Sequence, residues 1–237
     1  MSAQTIQTVL FDLDGTFADT APDLAHALNQ TLVAHQHPTL TLEEIRPVVS
    51  HGGAALIELG FKLAPADPRF EPLRLELLDF YKQDIATHTQ LFTGIRELIT
   101  QLPELGIHWG IVTNKPAWLT DPLIDALGLT EQACSIISGD TLAQRKPDPA
   151  PLIYAAQQCG SAPESCLYIG DAERDIVAGK RAYMRTMVAL YGYIEADSDP
   201  RNWQADIYIE SATEIIDWVL KINNETGLKD ISAKYVN

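Results

Sequence analysis

The sequence predicts an α/β protein: a parallel sheet covered by helices on both faces, with a block of helices inserted after the first strand. Three observations carry this. From Phe92 onward, short apolar runs alternate with helical stripes, the pattern of a sheet built from parallel crossovers. Between Asp19 and Leu91 only helical spacing is found. Polar clusters follow several of the apolar runs, and open α/β sheets bind ligands at the carboxyl ends of their strands.

Ile6 to Asp12 is apolar and β-branched and reads as a buried strand ending in acidic residues. Pro22 to His35 suits a helix, with Pro22 in the first turn and Leu24, Ala25, Leu28 and Leu32 on one face. Leu42–Val49, Gly53–Leu63 and Phe70–Thr87 read as three more helices, the last two separated by a loop around Pro65, Asp67 and Pro68. Beyond Phe92, Ile95 to Leu105 forms a helical stripe closed by Gly106, and Ile107–Thr113 a strand. A helix from Trp118 to Leu127 stops at Gly128. Then come a strand at Ser135–Ser138, a helix at Ala150–Cys159, a strand at Cys166–Gly170 and a helix at Ile176–Ala182. Strands at Thr186–Leu190 and Ile207–Ile209 and a helix at Ala212–Ile222 complete the series, and Gly227–Asn237 reads as a tail. This divides the chain into a core of residues 1–18 and 92–237 and a helical insertion of residues 19–91.

With 237 residues and 46% hydrophobic composition, the chain can bury a sizeable core. A net charge of -15 repels nucleic acid and anionic membranes, so neither is expected as a partner. No apolar run is long enough to span a bilayer, and Met1–Thr8 does not read as a signal peptide. Cys134, Cys159 and Cys166 are too few and too scattered for a disulfide framework, which points to a reducing, cytoplasmic location. The histidines show no metal-ligand spacing, and Trp118 and Trp218, on helical stripes, are expected in the core.

Four clusters carry the chemistry. In Asp12-Leu13-Asp14-Gly15-Thr16, two carboxylates two residues apart share one side of an extended segment. One can attack phosphorus while the other handles protons, although an ordinary Asp-Gly turn is the simpler alternative. Thr113-Asn114 offers a hydroxyl and backbone amides for phosphate oxygens, and Lys146 a balancing cation; taken singly, the first reads more simply as an ordinary strand end and the second as a solvated loop residue. Asp171 ends an apolar run and suits a hard divalent cation, and Asp175 lies one helical turn on. A phosphate substrate is itself anionic, so a site in so acidic a chain needs a bound cation and a lysine.

The order of these clusters resembles the haloacid dehalogenase-like hydrolase superfamily over essentially the whole chain up to the tail. The resemblance implies a doubly wound, Rossmann-like core with a helical cap domain inserted after the first strand, and a phosphatase working through an aspartyl-phosphate intermediate. It makes Asp12 the nucleophile, Asp14 the general acid and base, Thr113 and Asn114 phosphate binders and Lys146 the charge stabiliser. It implies Mg2+ held by Asp12, the Asp14 carbonyl and Asp171, with Asp175 in support. The dehalogenases lack an acid equivalent to Asp14. Phosphonatases use a cap lysine, and Lys62 and Lys82 read instead as surface residues.

Ala21-Pro22-Asp23-Leu24, Val112-Thr113-Asn114-Lys115-Pro116 and Lys146-Pro147-Asp148-Pro149 look like the phosphoglycolate phosphatase branch. Trp109-Gly110, Tyr191-Gly192-Tyr193-Ile194 and Trp203-Gln204-Ala205-Asp206 are similar to bacterial N-acetylmuramic acid 6-phosphate phosphatases. Phe17, where leucine is usual, and Ala172, where a serine or acidic residue is common, depart from the pattern. A small phosphorylated metabolite is therefore the expected partner of a monomer or homodimer. His51 and Gly52, in the loop Ser50-His51-Gly52-Gly53, are candidates for contacting the leaving group; a glycine-rich break with a solvated histidine is the alternative. A sugar phosphomutase or a non-catalytic binding relative would share the same motifs.

Overall fold

A computed structural model of the chain describes residues 5–195 and 198–226. The element order is β1 (Thr8–Phe11), β2 (Ala18–Asp19), α1 (Ala21–Ala34), α2 (Leu42–Ile45), α3 (Gly52–Phe61), α4 (Phe70–Gln83), β3 (Gln90–Leu91), α5 (Ile95–Glu104) and β4 (His108–Val112). It continues with α6 (Ala117–Ala126), β5 (Ser135–Ile137), α7 (Ala150–Gln158), β6 (Cys166–Gly170), α8 (Glu173–Arg181), β7 (Arg185–Ala189), β8 (Ile207–Ile209) and α9 (Ile215–Glu225). Six strands form one sheet in the order β5-β4-β1-β6-β7-β8, every neighbouring pair parallel. The chain first winds outward from β1 through β4 to β5, then returns to build β6, β7 and β8 on the other side. The reversal of winding falls at β1, so the carboxyl ends of β1, β4 and β6 open onto the switch-point crevice.

Residues of β1 alternate between faces. Val9 and Phe11 join the core beneath α5, α6 and α9, with Leu98, Leu123 and Val219. Leu10 joins the opposite core beneath α7 and α8, with Leu152, Tyr168 and Ala178. Phe17 is accommodated in the first of these: it stacks on Trp109 at 5.5 Å and meets Phe11 edge-on at 5.3 Å. Helices α1 to α4 have a separate core, in which Leu28, Leu56, Leu77 and Tyr81 are fully buried.

Several sequence expectations need correction. The helix expected over Leu42–Val49 is α only to Ile45 and continues as 3-10 turns over Arg46–His51. Its start is fixed by a capping box between Thr41 and Glu44, whereas Pro47 has no N–H to donate and cannot carry the α hydrogen-bond pattern onward. The helix at Phe70 ends at Gln83 rather than Thr87, and α8 begins at Glu173 rather than Ile176. The stretch read as free of strands is bounded by β2 and β3, a two-residue antiparallel ribbon too short for periodicity to register.

Asp23 ties this ribbon to α1: its carboxylate accepts from His88 N, Thr89 N at 2.8 Å and Thr89 Oγ1 at 2.7 Å. Cys134 and Cys159 form a disulfide with Cα atoms 5.2 Å apart, because the edge strand β5 lies beside α7. Sequence spacing could not reveal that adjacency. No helix among the described residues is long and apolar enough to cross a membrane. The expected tail, Gly227–Asn237, lies outside the described residues.

Candidate active site

β1 ends at Phe11 and delivers Asp12 to the centre of the crevice, 3% exposed. Gly15 (φ 85°) turns the chain away, and a Cβ there would strike Asp171. Gly192 lies equally close, and a Cβ on it would strike both Asp171 and the Gly15 carbonyl. The segments carrying Asp12 and Asp171 thus meet because two glycines let them. Asp171 accepts hydrogen bonds from Tyr193 N (2.8 Å), Thr16 Oγ1 (3.2 Å) and Ser50 Oγ (3.1 Å), the last reaching over from the helical insertion. Arg174 donates to the Ser50 carbonyl at 2.8 Å.

Lys146 is 2% exposed and stands between carboxylates, its Nζ 2.9 Å from Asp12 Oδ1 and 2.8 Å from Asp175 Oδ1. It donates to the Tyr168 hydroxyl at 2.8 Å, and that hydroxyl donates to the Val112 carbonyl. The Asn114 side chain clamps the Lys146 backbone in both directions, donating to its carbonyl at 2.9 Å and accepting from its N–H at 3.1 Å. Asp175 Oδ1 is an ion-pair partner by distance, but it is buried and accepts no aligned hydrogen bond among the described residues.

Oxygens of Asp12, Asp171 and Asp175 lie within 4.8 Å of one another, all three residues buried. Burial, and then the Asp12 and Asp175 charges, push the Asp171 carboxyl up to about 7. Burial also raises Asp12, more than Lys146 can offset. Three carboxylates facing Lys146 and Arg174 leave one formal negative charge. The crowding, the spare Asp175 oxygen and the all-oxygen donor set fit a hard divalent cation, which would reverse that local sign. Asp14 stands apart from this trio: its Oδ1 accepts from Thr20 Oγ1 at 2.6 Å and Lys115 Nζ at 2.7 Å.

A cavity of about 890 Å³ opens above Asp12, lined by Asp14, Thr113, Asn114, His51 and Gly52 among others. Lys146, Asp171 and Asp175 do not line it; they are buried beside Asp12. His51 sits at the rim, half-exposed, 3.0 Å from Glu195.

The family model of the haloacid dehalogenase-like hydrolases matches residues 9–189, which include all four motif clusters. The chain belongs to the haloacid dehalogenase-like hydrolases. It is 43% identical over 209 residues to a phosphoglycolate phosphatase of Xanthomonas campestris pv. campestris (strain 8004), covering 88% of this chain and 94% of that one. It is 38% identical over 217 residues to an N-acetylmuramic acid 6-phosphate phosphatase of Pseudomonas aeruginosa, covering 92% and 96%. The crystal structure of a predicted phosphoglycolate phosphatase from Haemophilus somnus 129PT shares the fold, with a TM-score of 0.81 at 22% identity over 91% of this chain and 98% of that one.

As a haloacid dehalogenase-like hydrolase, the chain carries site residues that sequence reasoning passed over. Lys115 follows the Thr113-Asn114 pair by one position, and its ammonium is nearly sealed from solvent against Asp14 and Tyr81. Tyr168 carries a hydroxyl in an otherwise apolar strand, and a buried hydroxyl needs a partner; that was the available signal. Asp19 is bound by both terminal nitrogens of Arg46 (2.8 and 3.0 Å) and by the Tyr193 hydroxyl at 2.7 Å, joining insertion and core. Trp118, expected in the core, is 39% exposed on the cavity wall, whereas Trp218 does pack against the sheet core. Ala172 loses no bond its backbone needs: its N–H donates to Asp175 Oδ2 at 3.1 Å.

Proposed function

We propose that this hydrolase is a magnesium-dependent phosphomonoesterase acting on a small phosphorylated metabolite, of the kind its relatives' names specify: 2-phosphoglycolate or N-acetylmuramic acid 6-phosphate. The observation that carries the reading is the convergence of Asp12, Lys146, Asp171 and Asp175 beneath one cavity. Asp12, Asp171 and the Asp14 carbonyl would hold Mg2+, with Asp175 alongside. The bound ion supplies positive charge to the phosphoryl oxygens and to the crowded carboxylates.

An Asp12 carboxylate oxygen attacks phosphorus and the ester P–O bond breaks, while Asp14 gives its proton to the departing oxygen. In the second half, Asp14 takes a proton from water, the water oxygen attacks phosphorus, and the Asp12–phosphorus bond breaks to release inorganic phosphate. Thr113, the backbone near Asn114 and Lys146 hold the equatorial oxygens. Lys115 and Thr20 grip Asp14 Oδ1, leaving Oδ2 for the proton. Residues 19–91 act as a cap over the core formed by 1–18 and 92–237. His51 and Gly52 sit where the leaving group departs. The proposed setting is cytoplasmic.

The test is release of inorganic phosphate from p-nitrophenyl phosphate with and without magnesium. The reading expects release that EDTA abolishes and that Asp12→Asn removes. A purified, folded chain that releases none from aryl, sugar or glycolate phosphates overturns it. Beryllium fluoride with magnesium should raise Tm in an enzyme; a binding relative shows no such shift, and a phosphomutase returns isomerised sugar phosphate instead of free phosphate.

A further inference from the structure

The cavity is much larger than a two-carbon acid needs. At about 890 Å³ it lies in the range, roughly 300–1,000 Å³, of sites that enclose a drug-sized ligand. Its wall away from Asp12 is also amphipathic. Leu75 on α4 and Trp118 on α6 are 47% and 39% exposed, and both line this one cavity, with Leu78 a helical turn beyond Arg74. Solvent-facing leucine and tryptophan gathered on one concave wall are unusual for a surface as acidic as this one.

Arg74 lies among these apolar groups. Glu71 engages its Nε at 2.8 Å and its Nη2 at 2.6 Å, which fixes the guanidinium plane; Nη1 has no protein partner among the described residues. Gly53 brings the start of α3 against this wall: a Cβ there would stand 3.2 Å from Leu78 Cδ2, tighter than an ordinary contact. With Nε and Nη2 held by Glu71, the remaining Nη1 edge presents an always-charged donor in one orientation on an apolar wall and is suited to a carboxylate.

We propose that this wall is a leaving-group subsite for the ring of a carboxylate-bearing amino-sugar phosphate, with Trp118 and Leu75 against the apolar face of the pyranose and Arg74 paired with the carboxylate. The inference rests on the phosphatase reading above and selects, between the two substrate classes of its relatives, the sugar acid over the two-carbon acid.

The experiment compares kcat/KM for four substrates: N-acetylmuramic acid 6-phosphate, N-acetylglucosamine 6-phosphate (the same sugar without the lactyl ether that carries the carboxylate), 2-phosphoglycolate and p-nitrophenyl phosphate. The unaltered protein should favour the carboxylated sugar at least tenfold over both the carboxylate-free sugar and 2-phosphoglycolate. Arg74→Gln should cut the carboxylated-over-plain sugar preference at least tenfold through KM, and Arg74→Lys should restore part of it. A general loss of structure would depress both sugars alike and leave their ratio unmoved. Trp118→Ala should raise KM for both sugars more than for 2-phosphoglycolate. Preference for 2-phosphoglycolate, or ratios unmoved by both substitutions while phosphate is still released, overturns the subsite alone. Absence of release from all four, the aryl phosphate included, overturns the phosphatase reading itself.

Discussion

Lys115 Nζ lies 2.7 Å from Asp14 Oδ1 and 4.6 Å from the centre of the Tyr81 ring, so one ammonium joins the core loop after β4 to the helix α4 of the insertion. Burial alone would push the Lys115 proton off, but Asp14 and the Tyr81 hydroxyl outweigh it and hold the group cationic. Lys115 therefore orients Asp14 through all of the chemistry proposed for it. Lys115→Met should lower kcat on p-nitrophenyl phosphate by about 100-fold, the lower end of what a positioned acid or base contributes, with KM changed only a few-fold. Asp14→Asn should lose at least as much. Steady-state kinetics decide the matter; a Lys115→Met protein with undiminished kcat would detach Lys115 from Asp14's role.

Asp12 makes a two-sided case. Its carboxylate is disfavoured by burial and by Asp175, so the folded chain without metal carries it at a cost. Asp12→Asn removes that charge at nearly constant volume. Activity should vanish, while in EDTA the variant should melt no lower than the parent. A calorimetric scan checks this, and a clear drop in Tm would mean that the Lys146 pairing outweighs the crowding.

Part of the convergence at the crevice was legible in the sequence because some residues follow an apolar run by one position, and strand ends converge at a switch point whatever the details. Asp12, Thr113 and Asp171 are of this kind. What escaped is set by distances that no local pattern encodes. Tyr168 and Asn114 hold Lys146 across 22 and 32 residues, and Tyr193 reaches Asp19 across 174. Helical spacing places Trp118 on a stripe but does not encode which neighbour covers it, and here none does fully. The β2–β3 ribbon is two residues long, shorter than any period that could announce it.

Gly192 shows how such a long-range contact can be tested. A methyl group there would fall on Asp171 and the Gly15 carbonyl, both backbone-anchored, so the loop must move. Gly192→Ala should reduce activity at least 100-fold. It should also abolish the magnesium-dependent rise in Tm, which for a ligand at 100 times its Kd corresponds to about 2.7 kcal/mol in the parent. A variant that keeps its magnesium shift would mean that the loop yields without disturbing Asp171.

Asp23 tests the tether at the ribbon. It is 1% exposed, and the donors it satisfies, His88 N, Thr89 N and Thr89 Oγ1, would be left without it. Unsatisfied buried donors cost about 1–3 kcal/mol each, and bonds to a charged acceptor lie in the upper part of the range. Asp23→Ala should therefore lower unfolding stability by roughly 3 kcal/mol after partial relaxation toward water. Urea denaturation measures it; a loss below 1 kcal/mol would show that the 88–89 linker is held by other contacts.

The cysteines give the last prediction. Cys166 is buried, and burial, then the Glu164 charge, push its thiol from 9.0 up to about 12. With Cys134 and Cys159 joined, the oxidised native protein should show no fast-reacting thiol toward a disulfide reagent at pH 8. It should show one after unfolding without reductant, and three after unfolding with it. A thiol whose folded value is raised keeps its proton where the unfolded chain has lost it. The stability linked to Cys166 is therefore intact below pH 9 and drains away between pH 9 and about 12, by at most about 1.4 kcal/mol per pH unit. The urea midpoint of the parent should fall more steeply from pH 8.5 to pH 10 than that of Cys166→Ala; parallel slopes would mean that the thiol ionises in the folded chain as readily as in the unfolded one.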